Sequence, residues 1–340
     1  MILPGPALDS IFMRLIVVRC GAPEVEVPQL SVLRELVNID SLEVLDLPGV
    51  PTRQELRPLD EAALAELPVD STPSLDEISA RPDVGHLGSP DFAPQRPGRE
   101  LRFVVVGTDA ALSAVLTRMM RADYLWATVG YVPLDPDSAA ATNWSLPANR
   151  EAAFRLACAG TVRPAPVIRN DASIVVAGSA TISAVDNGPL DAEVIVDDAT
   201  LIYPEKVRNT QARFYGQFGV KLVPMTDAPG IAAVRLTTPL SVADEDRGGH
   251  GFRGAIGSLM SRSLTPAQVQ AWSETPGLSW LVDRAPLEPA GIDPRSMLSG
   301  RAVQAGGVDI RVTIDGVPGP RPVKRVTFYR HLRDLQIVRI

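Results

Sequence analysis

Hydrophobic positions in the first twenty residues group into a short β-branched run over 11–20 that ends at Gly21, the pattern of a buried strand. Leu30, Leu33, Leu36 and Val37 then fall on one face of a predicted short helix over 29–37. A second predicted strand over 42–47 stops at Pro48-Gly49. Between 48 and 97 the periodicity dissolves into proline and acid, read as a linker or surface excursion with one predicted helix at 59–67. It returns at Leu101. An apolar strand over 101–106 runs into Gly107-Thr108-Asp109, and a helix over 110–120 follows with Leu112, Val115, Leu116 and Met119 on one side. The next strand, over 126–132, is closed by Pro133. Strand, turn, helix, strand in that order predicts a parallel, right-handed crossover unit.

After Pro147 the pattern changes. A short helix over 150–158 gives way to β-branched runs over 173–177, 192–196, 199–203, 220–223 and 232–238, separated by turn residues. This spacing predicts an antiparallel sheet or sandwich. A glycine-rich loop covers 244–257, helices are predicted at 258–261 and 265–275, and the end is strand-like at 302–303, 308–314, 323–329 and 335–340. Asp315-Gly316 and Asp197-Asp198 read as turns. The expected organisation is an α/β domain with a parallel sheet over 1–147, containing the proline-rich excursion. A β-rich domain with an antiparallel sandwich follows over 148–325, and the C-terminal strand over 326–340 returns to the first domain.

Composition narrows the function classes. A net charge of −7 argues against nucleic acid as a partner, because phosphate backbones select a basic footprint. Two cysteines, Cys20 and Cys158, and three histidines make neither a disulfide framework nor a zinc spacing. No stretch of about 18 apolar residues is present to span a bilayer, and no secretory pattern precedes Arg14, so a cytoplasmic protein is expected.

The sharpest chemical feature is Val104-Val105-Val106-Gly107-Thr108-Asp109-Ala110-Ala111-Leu112. A strand, a glycine and a helix N-terminus place backbone N–H groups at one spot, where an anion can sit. The plainer reading is a strand–turn–helix junction with Asp109 as the N-cap. Arg118 and Arg121 are read as solvated cations of the helix face, with phosphate contact as the alternative. His250 lies in a glycine-rich loop beside Asp244-Glu245-Asp246, and Trp272 and Trp280 are read as packing residues.

The segment resembles the phosphate loop of the diacylglycerol kinase and NAD kinase superfamily, an apolar strand followed by G-G-D-G-T and a helix. Gly107 and Asp109 match, while Thr108, Ala110 and Ala111 replace glycine, glycine and threonine. Val129-Gly130-Tyr131-Val132-Pro133-Leu134 resembles the opening of that family's second nucleotide motif, with Asp135-Pro136-Asp137-Ser138 in place of G-T-x-N. Val312-Thr313-Ile314-Asp315-Gly316-Val317 resembles its D-G-E turn, with Val317 replacing the glutamate.

The resemblance implies a lipid kinase-like fold and ATP-dependent phosphoryl transfer, with Mg²⁺, to a lipid hydroxyl such as that of diacylglycerol, met at a membrane surface. Asp109 and Asp315 would be the catalytic residues. Gly107, Thr108, Asp109, Ala110, Ala111, Pro133 and Leu134 would bind the nucleotide. The replacements imply weakened or lost catalysis, through strain at Ala110, the missing carboxylate at 317 and repulsion from Asp135. A non-catalytic nucleotide- or lipid-binding descendant is therefore the second reading, and a small-molecule enzyme centred on His250 the third.

Overall fold

The computed structural model describes residues 12–68, 88–94, 97–186, 188–203, 217–237 and 291–340. His250, the acidic run 244–246, Trp272, Trp280 and the helices expected at 258–261 and 265–275 lie outside the described residues, as does much of the proline-rich excursion.

The first sheet is built from β1 (Met13–Cys20), β2 (Ile39–Leu47), β3 (Glu100–Gly107), β4 (Thr128–Pro133), β5 (Val162–Ala165) and β16 (Leu335–Val338), in the order β2-β1-β3-β4-β16-β5. All neighbours are parallel except β16 and β5. The central strands are apolar on both faces because helices cover both. Ile16, Val18, Phe103 and Val105 pack with α2 (Arg57–Glu66) and α3 (Asp109–Arg121). Leu15, Val17, Val104 and Val106 join the opposite core with α1 (Leu30–Arg34) and α5 (Arg150–Ala159). Continuous β-branched runs are what a doubly covered parallel sheet demands. Gly130 lets α5 lie directly on β4, since a Cβ there would stand 2.6 Å from the Ala157 carbonyl oxygen.

The second sheet is antiparallel. It contains β6 (Ile168–Asn170), β7 (Ala180–Ala184), β10 (Gly219–Pro224), β11 (Ile231–Leu236), β12 (Ile292–Gly300), β13 (Ala302–Ile314) and β15 (Val323–Arg330), in the order β12-β11-β10-β7-β13-β15-β6. The hairpin of β8 (Ala192–Val196) and β9 (Ala199–Ile202) attaches to β13, turning through Asp197-Asp198 as expected. The runs expected at 302–303 and 308–314 are one strand. Its first half pairs with β8 and its second half with β7, and its register against β15 shifts between Gly306 and Ile310, where it changes neighbours. At its end, Asp315 and Gly316 both adopt positive φ (49° and 81°), forming the two-residue hairpin loop into β14 (Val317–Pro318).

The strand expected at 173–177 does not form. Val175 instead has its N–H bound by Thr117 Oγ1 at 2.9 Å and its carbonyl by Ser113 Oγ at 2.6 Å. Two α3 side chains, four residues apart, thus satisfy one edge of the segment, while its other edge makes an isolated antiparallel bridge to β6 through Arg169 and Val175. The segment 172–179 is thereby held against the first domain.

Candidate functional site: the seam and the cleft

Gly107 ends β3, and its role is packing. A Cβ there would meet the Ala111 and Cys20 Cβ atoms at 2.8 and 3.1 Å. The N-cap of α3 is Thr108, not Asp109. Thr108 has extended backbone (φ −84°, ψ 169°), and its Oγ1 accepts from Ala111 N at 3.3 Å. Asp109, Ala110 and Ala111 already lie in the first helical turn, so Ala110 carries no left-handed strain, contrary to expectation.

The Asp109 carboxylate turns away from its own helix. Its Oδ1 accepts from Tyr131 OH at 3.0 Å and Ser138 Oγ at 2.5 Å. Its Oδ2 accepts from the amides of Ala139 and Ala140 at 2.8 and 3.2 Å, at the N-terminus of α4 (Ala139–Asn143). A negative charge at that end is favoured by the helix dipole. Burial, reinforced by Asp109, pushes the Tyr131 phenol pKa upward, so it stays a neutral donor.

Asp315 is held from the other side. Its Oδ1 accepts from the amides of Gly178 and Ser179 at 2.7 and 2.9 Å, and its Oδ2 from Ala177 N at 2.8 Å. Its own amide donates to Ser179 O at 2.8 Å. Burial raises its pKa from the ordinary 3.8 to about 6, against the pull of the three amides and with a further push from Asp109.

The two aspartates flank one residue. A Cβ on Gly178 would stand 2.5 Å from Asp109 Oδ2, while the Gly178 amide binds Asp315. Both carboxylates thus grip the seam between the halves of the molecule. Pro133 and Leu134 also serve the scaffold: Pro133 pairs with Gly107 in the sheet, and Leu134 N donates to Gly107 O at 2.9 Å. Asp135 is exposed, and its carboxylate accepts from Asp137 N within its own turn.

Beside the seam opens a cavity of about 610 Å³, within the range of small-molecule sites. Its walls are the 50–56 segment and α3 on one side, and the hairpin around 312–326 on the other. Of the residues singled out as catalytic or nucleotide-binding, Ala110 lines it; Gly107, Thr108, Asp109, Ala111, Pro133, Leu134 and Asp315 do not. The lining is aliphatic, with Leu56, Ile174, Val312 and Ile314 among its members, and carries Arg53, Arg118, Arg121, Arg321 and Arg325 against one acid, Asp171.

Arg118 is fixed by a two-oxygen contact to Asp60, which also accepts from Tyr124 OH at 3.0 Å. Arg121 donates to the carbonyls of Ser173 and Ala172 at 3.1 and 2.8 Å. Neither is the freely solvated cation expected of a helix face. Arg53, Arg321 and Arg325 are exposed and make no side-chain hydrogen bond or ion pair with any described residue. Arg53 lies inside the proline-rich stretch and Arg321 and Arg325 in a strand and its approach, where no local motif distinguishes them.

Among the described residues, the donor set at the seam does not fit a divalent cation. Asp109 and Asp315 spend their oxygens on protein donors, and among the described residues no three His, Cys, Asp or Glu side chains gather in one place.

No family model matches the chain, and no curated protein matches it either. Solved structures do. A protein assigned as a diacylglycerol kinase from Bacillus anthracis superposes with a TM-score of 0.51 at 8% identity, covering 96% of this chain and 97% of that one. The fold is diacylglycerol kinase-like. A second diacylglycerol kinase structure from the same organism gives 0.49 at 9% identity, covering 96% and 97%. An NAD kinase from Archaeoglobus fulgidus in complex with ATP gives 0.40 at 8% identity, covering 96% and 94%. The first superposition establishes the shared fold, and an identity of 8% leaves the chemistry to this chain's own residues. No helix among the described residues is long and apolar enough to cross a membrane.

Proposed function

We propose that the cleft binds a phosphate-bearing ligand with an apolar or planar body, and that the chain works as a binding module, not as a phosphotransferase. The observation that carries this reading is a division of labour. The arginines line the open cavity, whereas both aspartates expected to do chemistry are consumed in holding 177–179 and α4 in place. Guanidinium forks suit phosphate oxygens, and the aliphatic walls suit the remainder of a nucleotide or a lipid. Phosphoryl transfer needs an acceptor base and charge neutralisation at the reacting phosphate. Freeing Asp315 for that work would strand three amides, two of them buried, at about 1–3 kcal/mol for each buried donor left unsatisfied.

Thermal denaturation with ATP, ADP, NAD or short-chain phosphatidic acid, followed by transfer of labelled phosphate from ATP to diacylglycerol in mixed micelles, tests the reading. At one hundred times its Kd a ligand adds about 2.7 kcal/mol, which reads as a rise of several degrees. The expected result is such a rise with no labelled lipid above the protein-free blank. Labelled lipid above the blank would establish the kinase instead.

A further inference from the structure

We infer that the cleft takes its phosphate-bearing ligand without a divalent metal, arginine guanidinium groups supplying all of the countercharge. This rests on the binding reading above and concerns how that same cleft neutralises charge.

A magnesium ion accompanying a phosphate asks for one or two protein carboxylates with oxygens free, at about 2.0–2.1 Å in near-octahedral geometry. The carboxylates nearest the first turn of α3 cannot offer them. Asp109 meets four donors from Tyr131, Ser138, Ala139 and Ala140. Gly178 also closes over its Oδ2 so tightly that a single carbon added there would stand 2.5 Å away. Asp315 is buried with three amides on its oxygens. Tyr131, the other titratable group at this seam, is a donor. Asp171, exposed in its turn, is the one acid that lines the cavity among the described residues, so a single carboxylate at most is open to a metal there, and it stands among arginines that compete for it.

The cation side is well supplied. Setting aside Arg118, which Asp60 neutralises, four arginines face one acid, a surplus of three positive charges. Arg121 is oriented by carbonyls through Nε and Nη2, so it keeps its full charge, and Nη1 has no partner among the described residues. A site with this balance favours the more negative, metal-free form of a phosphate ligand. Chelation by Mg²⁺ lowers the ligand's charge and competes with the guanidinium groups for the same oxygens.

The test is calorimetric titration of the full chain with ATP, ADP and short-chain phosphatidic acid, each in EDTA and in saturating Mg²⁺. Electron paramagnetic resonance of Mn²⁺ accompanies it, with and without protein and ADP. The expected result is binding in EDTA at least as tight as in Mg²⁺, with no protein-dependent loss of the free Mn²⁺ signal beyond that caused by ADP. Binding that appears only with Mg²⁺, or a Mn²⁺ signal quenched further by protein with ADP, overturns the metal-free inference while leaving the binding module intact. Absence of binding by every ligand in both conditions overturns the binding reading and this inference together. Arg321→Glu with Arg325→Glu is expected to weaken the EDTA titration at least tenfold; an unchanged titration would remove the arginines from the account.

Discussion

Gly178 shows how much one missing side chain can decide. The residue has no left-handed φ, yet alanine there would press a methyl against Asp109 Oδ2 at 2.5 Å and Ala140 N at 2.7 Å. Gly178→Ala is expected to cost about 1–3 kcal/mol, the usual range for overpacking, measured by urea denaturation. Asp315 makes a different prediction. Its folded-state pKa of about 6 lies above the ordinary 3.8, so between those values the folded chain keeps a proton that the unfolded chain releases. The contribution of Asp315 to stability therefore falls as pH rises from about 4 to 6 and levels off above. Subtracting the pH–stability curve of Asp315→Asn from that of the wild type should show this slope, and a difference flat from pH 4 to 7 would refute it. At this scale the sequence is only partly legible. Asp315-Gly316 is readable as a hairpin turn because the dipeptide itself favours two positive φ values. Thr108 and Asp109 are both good cap formers, so only the backbone reveals that Thr108 does the capping. Gly178 has no local signature at all, since its constraint comes from Asp109 far along the chain.

Among elements, short ones depend most on neighbours. The five-residue α4 is too short to hold itself in water, and it is sustained by two side chains that cap its N-terminus. Ser138 Oγ accepts from Ala141 N at 2.9 Å and donates to Asp109, while Asp109 takes the Ala139 and Ala140 amides. Ser138→Ala is expected to destabilise the protein by about 1–2 kcal/mol, measured by chemical denaturation, with a larger loss for Asp109→Ala. An Asp109→Ala variant as stable as wild type would contradict the structural role given to this carboxylate. The long periodic elements, β1, β3 and α3, are legible because their own apolar spacing specifies them. The strand expected at 173–177 is not, because its β-branched residues fit an extended chain whether its amides meet a strand or the hydroxyls of Ser113 and Thr117. The short strands β5 and β6 pass unread because Val162-Arg163-Pro164-Ala165 and Ile168-Arg169-Asn170 carry arginine and proline or asparagine in place of a β-branched run.

Across the whole molecule, the segment 172–179 joins two sheets with different cores. α3 holds it through Ser113, Thr117 and Arg121, Asp109 packs against it, and Asp315 ties its far end to the hairpin that walls the cleft. The polar groups that resemble a phosphotransfer site are thus those that tie the cleft's two walls together, and the exposed arginines line the open cavity. The central claim is that phosphate is bound by these arginines in this cavity. Calorimetric titration of ATP into the wild type and into the Arg321→Glu/Arg325→Glu variant, both confirmed as folded by their Tm, tests it most directly. Measurable wild-type affinity weakened at least tenfold by the double substitution, about 1.4 kcal/mol or more, is the predicted result. Equal affinities would place the ligand elsewhere and contradict the account.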